Sequence, residues 1–354
     1  MAQWSPSGIV VVLGAGATRG ASFVKPGFGC QPPLNADFFT QLQRVVAAKH
    51  QGVVTEVLRD VVALYGSNFD LTLEQYFTQL ETLIEMTKLV DLKKPKYPES
   101  RLEGMRRRLL NAVSAVLEES ADVTKRSSKA RLEPCEHHKA LAEALHARDT
   151  IISFNYDCVV DHALRTYGAG KWSARYGYGF SPPDHVEGHE LWSASDAPLG
   201  ENSSINLLKL HGSLNFFPFP SDEGEPIRLR ERPYRQTGKE VYEIIPPELA
   251  KRIGDRPVFS TLWRRAERAI RLATRVVLIG FSFTPTDTHV DSFFRMALAG
   301  NTRLEKLIIA NPSKSDRYRI RSVFASKLGG GRAQVVQYDR FEHLAPDLDA
   351  LLHE

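Results

Sequence analysis

Residues 9–20 read Ile-Val-Val-Val-Leu-Gly-Ala-Gly-Ala-Thr-Arg-Gly. An unbroken run of branched apolar residues from Ile9 to Leu13 marks a strand buried on both faces, because a half-buried strand would alternate apolar with polar. Glycines at 14 and 16 allow a sharp turn and a close approach of backbone to a phosphate, and the amides of a following helix N-terminus favour negative charge there. This is how a Rossmann-type unit opens. The turn by itself also suits a tight structural bend. The full dinucleotide fingerprint asks for a third glycine where this chain has Arg19, and for an acid ending a second strand about 20 residues on. Asp37 lies at that distance, but it follows Pro32-Pro33-Leu34-Asn35, a loop leading into a helix cap, which argues against a ribose-binding role.

Outward from that stretch, apolar runs of the same kind recur at 150–154, 206–210, 276–279 and 306–310, with a weaker sixth at 333–337. Helical patterns separate most of them. In residues 259–274, Leu262, Ala266, Ala269, Ile270 and Ala273 form one stripe, while Arg264, Arg268 and Arg271 form another. Strands alternating with helices predict an α/β fold: a Rossmann-like, doubly wound parallel sheet of about six strands. The first two runs are about 135 residues apart, far more than a crossover helix needs. Helical periodicity fills that gap in pieces (38–48, 53–65, 73–92, 105–117, 138–146), broken by Gly66, by 93–98 and by Ser127-Ser128. Residues 1–35 and 148–354 are therefore expected to form the nucleotide-binding catalytic domain, and 36–147 a helical insertion subdomain. The stretches 180–204 and 218–239, rich in Pro, Gly, Ser and Asp, read as surface loops.

Composition narrows the function classes. With 354 residues, 42% hydrophobic and 25% charged, the chain has room for two domains and little for a third. A net charge of +4 is too mild to indicate a nucleic-acid binder. The surplus is local: residues 88–131 hold twelve Lys/Arg against six Asp/Glu, including Arg106-Arg107-Arg108. That pattern reads as a solvated helical face or a contact for an acidic partner, and few aromatics interleave to stack on bases, so direct nucleic-acid binding is not expected. Three scattered cysteines without CxxC spacing offer neither a disulfide framework nor a four-cysteine zinc site. Cys135 with His137 and His138 is the nearest thing to a metal cluster, lacks a fourth ligand, and leaves no metal expected. The N-terminus shows no basic-then-apolar leader and no stretch approaches 18 consecutive apolar residues, which points to a cytoplasmic chain without membrane contact.

Ligands of parallel sheets gather at the carboxyl ends of the strands. Asn155-Tyr156-Asp157 follows the second run, His211-Gly212-Ser213 the third, Gly280-Phe281-Ser282-Phe283 the fourth and Asn311-Pro312-Ser313 the fifth. Each polar residue alone could be a cap or a satisfied core group. An amide, a carboxylate and an imidazole beside a phosphate turn together make a candidate site.

In order and spacing these motifs resemble the sirtuin-like superfamily, over residues 9–35 and 148–340, and more specifically its bacterial antiphage-defence branch. Leu71 to Glu81 also resembles a helix common in that branch. The chain departs from protein-deacylating sirtuins by lacking the zinc module of paired CxxC ribbons, which three scattered cysteines cannot build. The resemblance implies an NAD glycohydrolase that takes NAD as substrate and depletes it in defence. A protein deacylase or an ADP-ribosyltransferase using the same pocket is the enzymatic alternative; a non-catalytic nucleotide-sensing subunit is the other. The branch further implies a homo-oligomer and, as partner, an ATPase- or helicase-like subunit.

Under that resemblance Asn155 holds the attacking water or the ribose near C1′, since an amide donates and accepts at once. His211 is the base, because an imidazole titrates near neutral pH. Asp157 orients the water or the nicotinamide carboxamide, or else caps the helix that follows it. Gly14, Ala15, Gly16, Ala17 and Thr18 cradle the pyrophosphate together with Gly280. Ser282 and Asn311 take the adenosine ribose, although Asn311 also suits a turn before Pro312.

Overall fold

The structure, a computed structural model, describes residues 4–89, 96–121, 135–168, 170–180, 203–218, 227–229, 242–246, 257–284 and 287–354. Its main sheet is built from β1 (Ile9–Leu13), β2 (Thr150–Ser153), β3 (Asn206–Lys209), β6 (Arg275–Ile279), β7 (Lys306–Ala310) and β8 (Gln334–Tyr338). β4 (Phe216–Pro218) and β5 (Ile227–Leu229) form a separate antiparallel pair. The main sheet runs in the order β3-β2-β1-β6-β7-β8, with every neighbouring pair parallel. The order reverses between β1 and β6, so the crevice that such a reversal opens lies between the ends of these two strands. The six apolar runs of the sequence are its six strands, and the fold is the Rossmann-like α/β sheet they predict.

The helices are α1 (Ala15–Arg19), α2 (Phe38–Gln43), α3 (Gln51–Tyr65), α4 (Leu73–Leu89), α5 (Glu99–Ala121), α6 (Glu136–Ala144), α7 (Val159–Tyr167), α8 (Ala174–Gly177), α9 (Pro257–Leu272), α10 (Thr288–Ala299), α11 (Lys314–Val323), α12 (Ala325–Leu328), α13 (Phe341–Leu344) and α14 (Leu348–His353). Successive side chains of a strand point to opposite faces, and β1 shows the result. Val10 and Val12 pack with Leu262, Ala266 and Ile270 of α9 and with Phe294 of α10, whereas Ile9, Val11 and Leu13 pack with Leu141 of α6, Leu164 of α7 and Leu348 of α14. Both faces are thus covered by helices, which is why β1 carries no polar residue.

A third apolar cluster lies off the sheet and is built mainly from α2 to α5, around Phe38, Tyr76, Phe77, Leu80, Leu109 and Val113. The piece at 138–146, assigned to the insertion in the sequence reading, is α6, and it joins the sheet-covering layer instead. Its Leu141, Ala142 and Ala144 are buried against α7 and α14, a face that periodicity alone does not assign to one neighbour or another. A second difference is β5, in a stretch read as loop. Ile227 and Leu229 are buried in the cluster that contains Phe216, so a three-residue strand forms where composition signals only turns. Much of that stretch, most of 180–204, the Ser127-Ser128 break and the lysines at 93 and 94 lie outside the described residues. Among the described residues no helix is long and apolar enough to cross a membrane.

Candidate active site

The turn after β1 and the turn after β6 touch backbone to backbone. Gly16 N–H donates to the Gly280 carbonyl at 2.9 Å, and Gly14 N–H donates to the Ile279 carbonyl at 3.1 Å. A Cβ on Gly14 would stand 2.6 Å from the Gly280 carbonyl oxygen, and one on Gly16 would stand 2.8 Å from Gly280 Cα. Gly280 sits at φ +56°, a left-handed backbone, and its own Cβ would collide with Gly16 and with Ala17 N. In this structure, then, the glycines serve first to let two strand ends meet, and the amides of Gly14, Gly16 and Ala17 already hold protein carbonyls. Ala17 is fully buried and does not line the crevice. Arg19, where a third glycine would stand, pairs with Asp37 and donates to the Pro32 carbonyl, drawing the 32–37 loop over the turn. Asp37 is thereby committed to the loop, where it also accepts from Leu34 N–H at 2.7 Å.

Asn155 reaches back from the end of β2 to this turn. Its Nδ2 donates to the Gly14 carbonyl at 3.0 Å and to Thr18 Oγ1 at 3.2 Å. Those two bonds fix the amide, and its Oδ1, buried, accepts no hydrogen bond. Thr18 Oγ1 donates in turn to Asp157 Oδ2 at 2.8 Å. The other Asp157 oxygen accepts Val159 N–H at 3.0 Å, the first amide of α7. Both carboxylate oxygens are therefore engaged by protein, and of the two roles open to Asp157 in the sequence the helix-capping one is visible here.

Lys209, the last residue of β3, ties this loop to His211. Its side chain is completely buried, donates to the Asp157 carbonyl and pairs with Asp161 on α7 at 3.1 Å. Tyr178 hydroxyl donates to the second Asp161 oxygen and receives Asn215 Nδ2 at 3.0 Å. Burial alone would push the Lys209 ammonium down, but the carboxylate of Asp161, with Cys158 and Asp157 near it, holds it above an ordinary lysine. Burial pushes the Cys158 thiol up, which makes that cysteine a poor nucleophile. His211 itself is buried, with its ring edge-on to Phe154 at 5.0 Å and 6.0 Å from the His289 ring. Its carbonyl accepts Ile245 N–H at 2.9 Å. The next residue must be glycine: Gly212 has φ +76°, and a Cβ there would meet the backbone of Glu243 and Ile244, with which it forms a bridge.

These groups open onto one cleft of about 490 Å³, a size suited to a small-molecule ligand. Gly14, Ala15, Gly16, Thr18, Asn155, Asp157, His211, Gly280, Ser282 and Asn311 all line it. The Asn311 side chain is used on both ends, donating to the Phe281 carbonyl at 2.9 Å and accepting Ser313 N–H at 2.9 Å. That is the turn-forming role before Pro312. The sequence reading did not assign several other walls. Pro32 to Ala36, Leu73 and Glu74 of α4, Val113 and Leu117 of α5, Asp287, and Asp316 of α11 also line the cleft. Glu74 is buried and receives Asn35 Nδ2 at 3.2 Å, which joins α4 to the loop after the glycine turn. The one signal for this wall was the motif resemblance at Leu71 to Glu81; nothing in helical periodicity says which face of α5 meets a ligand.

Away from the cleft, Cys135 stands at the start of α6. Burial alone would push its thiol up, but His138 beside it and Ser22 N–H, donating at 3.3 Å, bring it down to about 6. His137 packs its ring toward Phe341, and among the described residues no metal-ligand trio forms around Cys135. The basic surplus at 88–131 is partly paired: Arg106 with Glu81, Arg108 with Asp60 and Lys88 with Glu99. These pairs range from exposed, Lys88–Glu99, to partly buried, Arg108–Asp60, and they spend positive charge between α3, α4 and α5.

A family model described as the SIR2-like domain matches residues 149–328, just over half of the chain. This span starts before β2 and runs to the end of α12, taking in Asn155, Asp157, His211, Gly280, Ser282 and Asn311. No curated protein matches the chain.

Proposed function

Since the chain belongs to the SIR2-like domain family, whose members use NAD, we propose that it is an NAD glycohydrolase. The observation that carries this reading is Asn155 Oδ1. A buried acceptor left without a partner costs about 1–3 kcal/mol, and the residue that carries it lines the same cleft as His211. A ligand hydroxyl or a water would satisfy it.

The reaction suits that equipment. When the bond between ribose C1′ and the pyridinium nitrogen breaks, nicotinamide leaves neutral with the bonding electrons, so no general acid is needed. This contrasts with glycosidases that employ two carboxyl groups. Positive charge develops on the ribose, a water adds at C1′, and one proton is released. Asn155 holds the water or the ribose, and His211 takes the proton. Asp157 acts at one remove by fixing Thr18, which in turn fixes Asn155. The pyrophosphate lies against the turn formed by Gly14 to Thr18 and Gly280, where the glycines supply shape. Ser282 and Asn311 face the adenosine ribose. With three cysteines the chain cannot build a four-cysteine zinc ribbon, which favours hydrolysis over protein deacylation.

The same reading extends to NAD depletion in antiphage defence, by a cytoplasmic homo-oligomer working with an ATPase- or helicase-like subunit. What supports this extension is the resemblance of motifs. The test is to incubate purified protein with NAD, with and without the product of a neighbouring gene, and to separate nicotinamide and ADP-ribose by chromatography. Asn155→Ala and His211→Ala are expected to abolish turnover while a cooperative unfolding transition shows that the fold is retained. Near wild-type turnover in His211→Ala overturns the mechanism. Acyl-ADP-ribose or modified protein among the products would replace hydrolysis with group transfer, and tight binding of intact NAD by the activated assembly would favour a sensing subunit.

A further inference from the structure

We propose that His146, Asp149 and His353 form a binding site for a divalent transition-metal ion of the zinc type, at the edge of the sheet opposite the cleft. One ligand atom from each of the three lies within 4.8 Å of the others. Asp149 immediately precedes β2 and Asn155 follows its C-terminus, so about 20 Å of extended chain separates the trio from the cleft. The trio also joins distant parts of the sequence, since His146 follows α6 and His353 ends α14.

The surrounding geometry is that of a prepared site. A tight turn brings the first two ligands together: Asp149 N–H donates to the His146 carbonyl at 3.1 Å, and Arg148 between them takes φ +75°. Asp149 is 1% exposed, and no lysine or arginine among the described residues pairs with it; the Arg148 side chain turns away to the Ser5 carbonyl. Its carboxylate is oriented by two donors, Ser7 Oγ at 2.5 Å and His146 N–H at 2.7 Å. Each oxygen keeps a second lone pair. Metal-bound carboxylates are held by such outer hydrogen bonds, and metal-bound imidazoles usually give their other N–H to a carbonyl. His353 Nε2 lies 2.7 Å from the Ala144 carbonyl, and the tautomer that donates there carries its lone pair on Nδ1. The His146 and His353 rings lie 4.0 Å apart and both are exposed, so they are free to turn toward a shared ion, for which zinc asks a nitrogen distance of about 2.0–2.1 Å.

Two imidazoles and one carboxylate suit zinc, nickel or copper rather than magnesium or calcium, which prefer all-oxygen shells. A fourth position would remain for water. Bound metal would clamp α14 to the turn between α6 and β2, so the predicted consequence is stability, not turnover.

The experiment titrates tag-free, chelator-treated full-length protein with Zn²⁺ by calorimetry, and with Co²⁺ by visible absorption. The expected result is one equivalent bound, a tetrahedral cobalt spectrum, and a higher thermal midpoint with metal than in EDTA. His146→Ala and His353→Ala, both at exposed positions, should each weaken binding by about 10-fold or more and remove the EDTA-sensitive shift. Zinc binding no tighter in the wild type than in the double variant overturns the site. So does full affinity in either single variant.

Discussion

Lys209 Nζ stands 3.1 Å from Asp161, and neither side chain exposes any surface. Because Lys209 also holds the Asp157 carbonyl, this one pair fastens β3 to α7 and the Asn155 loop to the strand that presents His211. Removing one partner of a buried pair strands the other charge, at about 3–5 kcal/mol. Lys209→Met is therefore expected to lower the unfolding free energy in urea by that amount, and Lys209→Met with Asp161→Leu to recover much of it. A loss under about 1 kcal/mol in the single variant would mean the pair is not fastening anything.

The glycine contact gives a prediction with an internal control. Gly27 and Gly280 both have left-handed φ, +80° and +56°, but nothing lies within 4 Å of a Cβ at Gly27, whereas one at Gly280 runs into Gly16 and Ala17. Gly27→Ala should cost only the backbone strain, about 1–2 kcal/mol. Gly280→Ala adds a collision that no side chain can relieve, and should exceed about 4 kcal/mol or prevent soluble expression. Equal midpoints for the two variants in thermal unfolding would refute the contact.

Thr18 offers a way to separate positioning from chemistry. Its hydroxyl donates to Asp157 and accepts from Asn155. Thr18→Val keeps the shape and removes both bonds, leaving two buried polar groups short of a partner at about 1–3 kcal/mol. With Asn155 no longer fixed, kcat for NAD hydrolysis should fall more than KM rises, while Thr18→Ser retains both values. Unchanged kcat in Thr18→Val would show that Asn155 does not depend on this hydroxyl.

Cys135 sets a pH dependence. The folded chain holds its thiol at about 6, below the 9.0 of an ordinary cysteine. Between these values the Cys135 thiol carries a proton in the unfolded chain that it does not carry in the folded one. Stability from this group is complete above pH 9, falls as pH drops and is lost near pH 6. Urea midpoints of the wild type should rise from pH 6 to 9 more steeply than those of Cys135→Ala. Parallel slopes would show that the folded chain does not hold this thiol below its ordinary value.

The sheet was legible because it depends on local text. Five of the six strands are short buried runs with an apolar centre, bounded by glycine or a polar loop, and a strand buried on both faces needs nothing else; β8, Gln-Val-Val-Gln-Tyr, is partly exposed and is correspondingly weaker as text. The cleft was partly legible, since the rule of carboxyl ends selects Asn155, His211, Gly280 and Asn311, four of the residues that line it, without any contact being known. What could not be read depends on long-range packing. Residue types and spacing do not reveal that Gly16 faces Gly280, that Lys209 lies under Asp157, or that α5 turns Val113 and Leu117 toward the cleft. Nor could the alliance of His146 with His353 be seen, because metal-ligand patterns are sought in close spacing.

The meeting of Gly14, Gly16 and Gly280 also bears on how such a site can vary. Elsewhere in a core, a larger residue at one position can be accommodated by a smaller one opposite. Here all three partners are already glycine and the opposing surface is main chain, so no compensating substitution exists. Change at this point is all-or-nothing, and any drift in what the cleft accepts must come through its replaceable walls: the 32–36 loop and the two insertion helices.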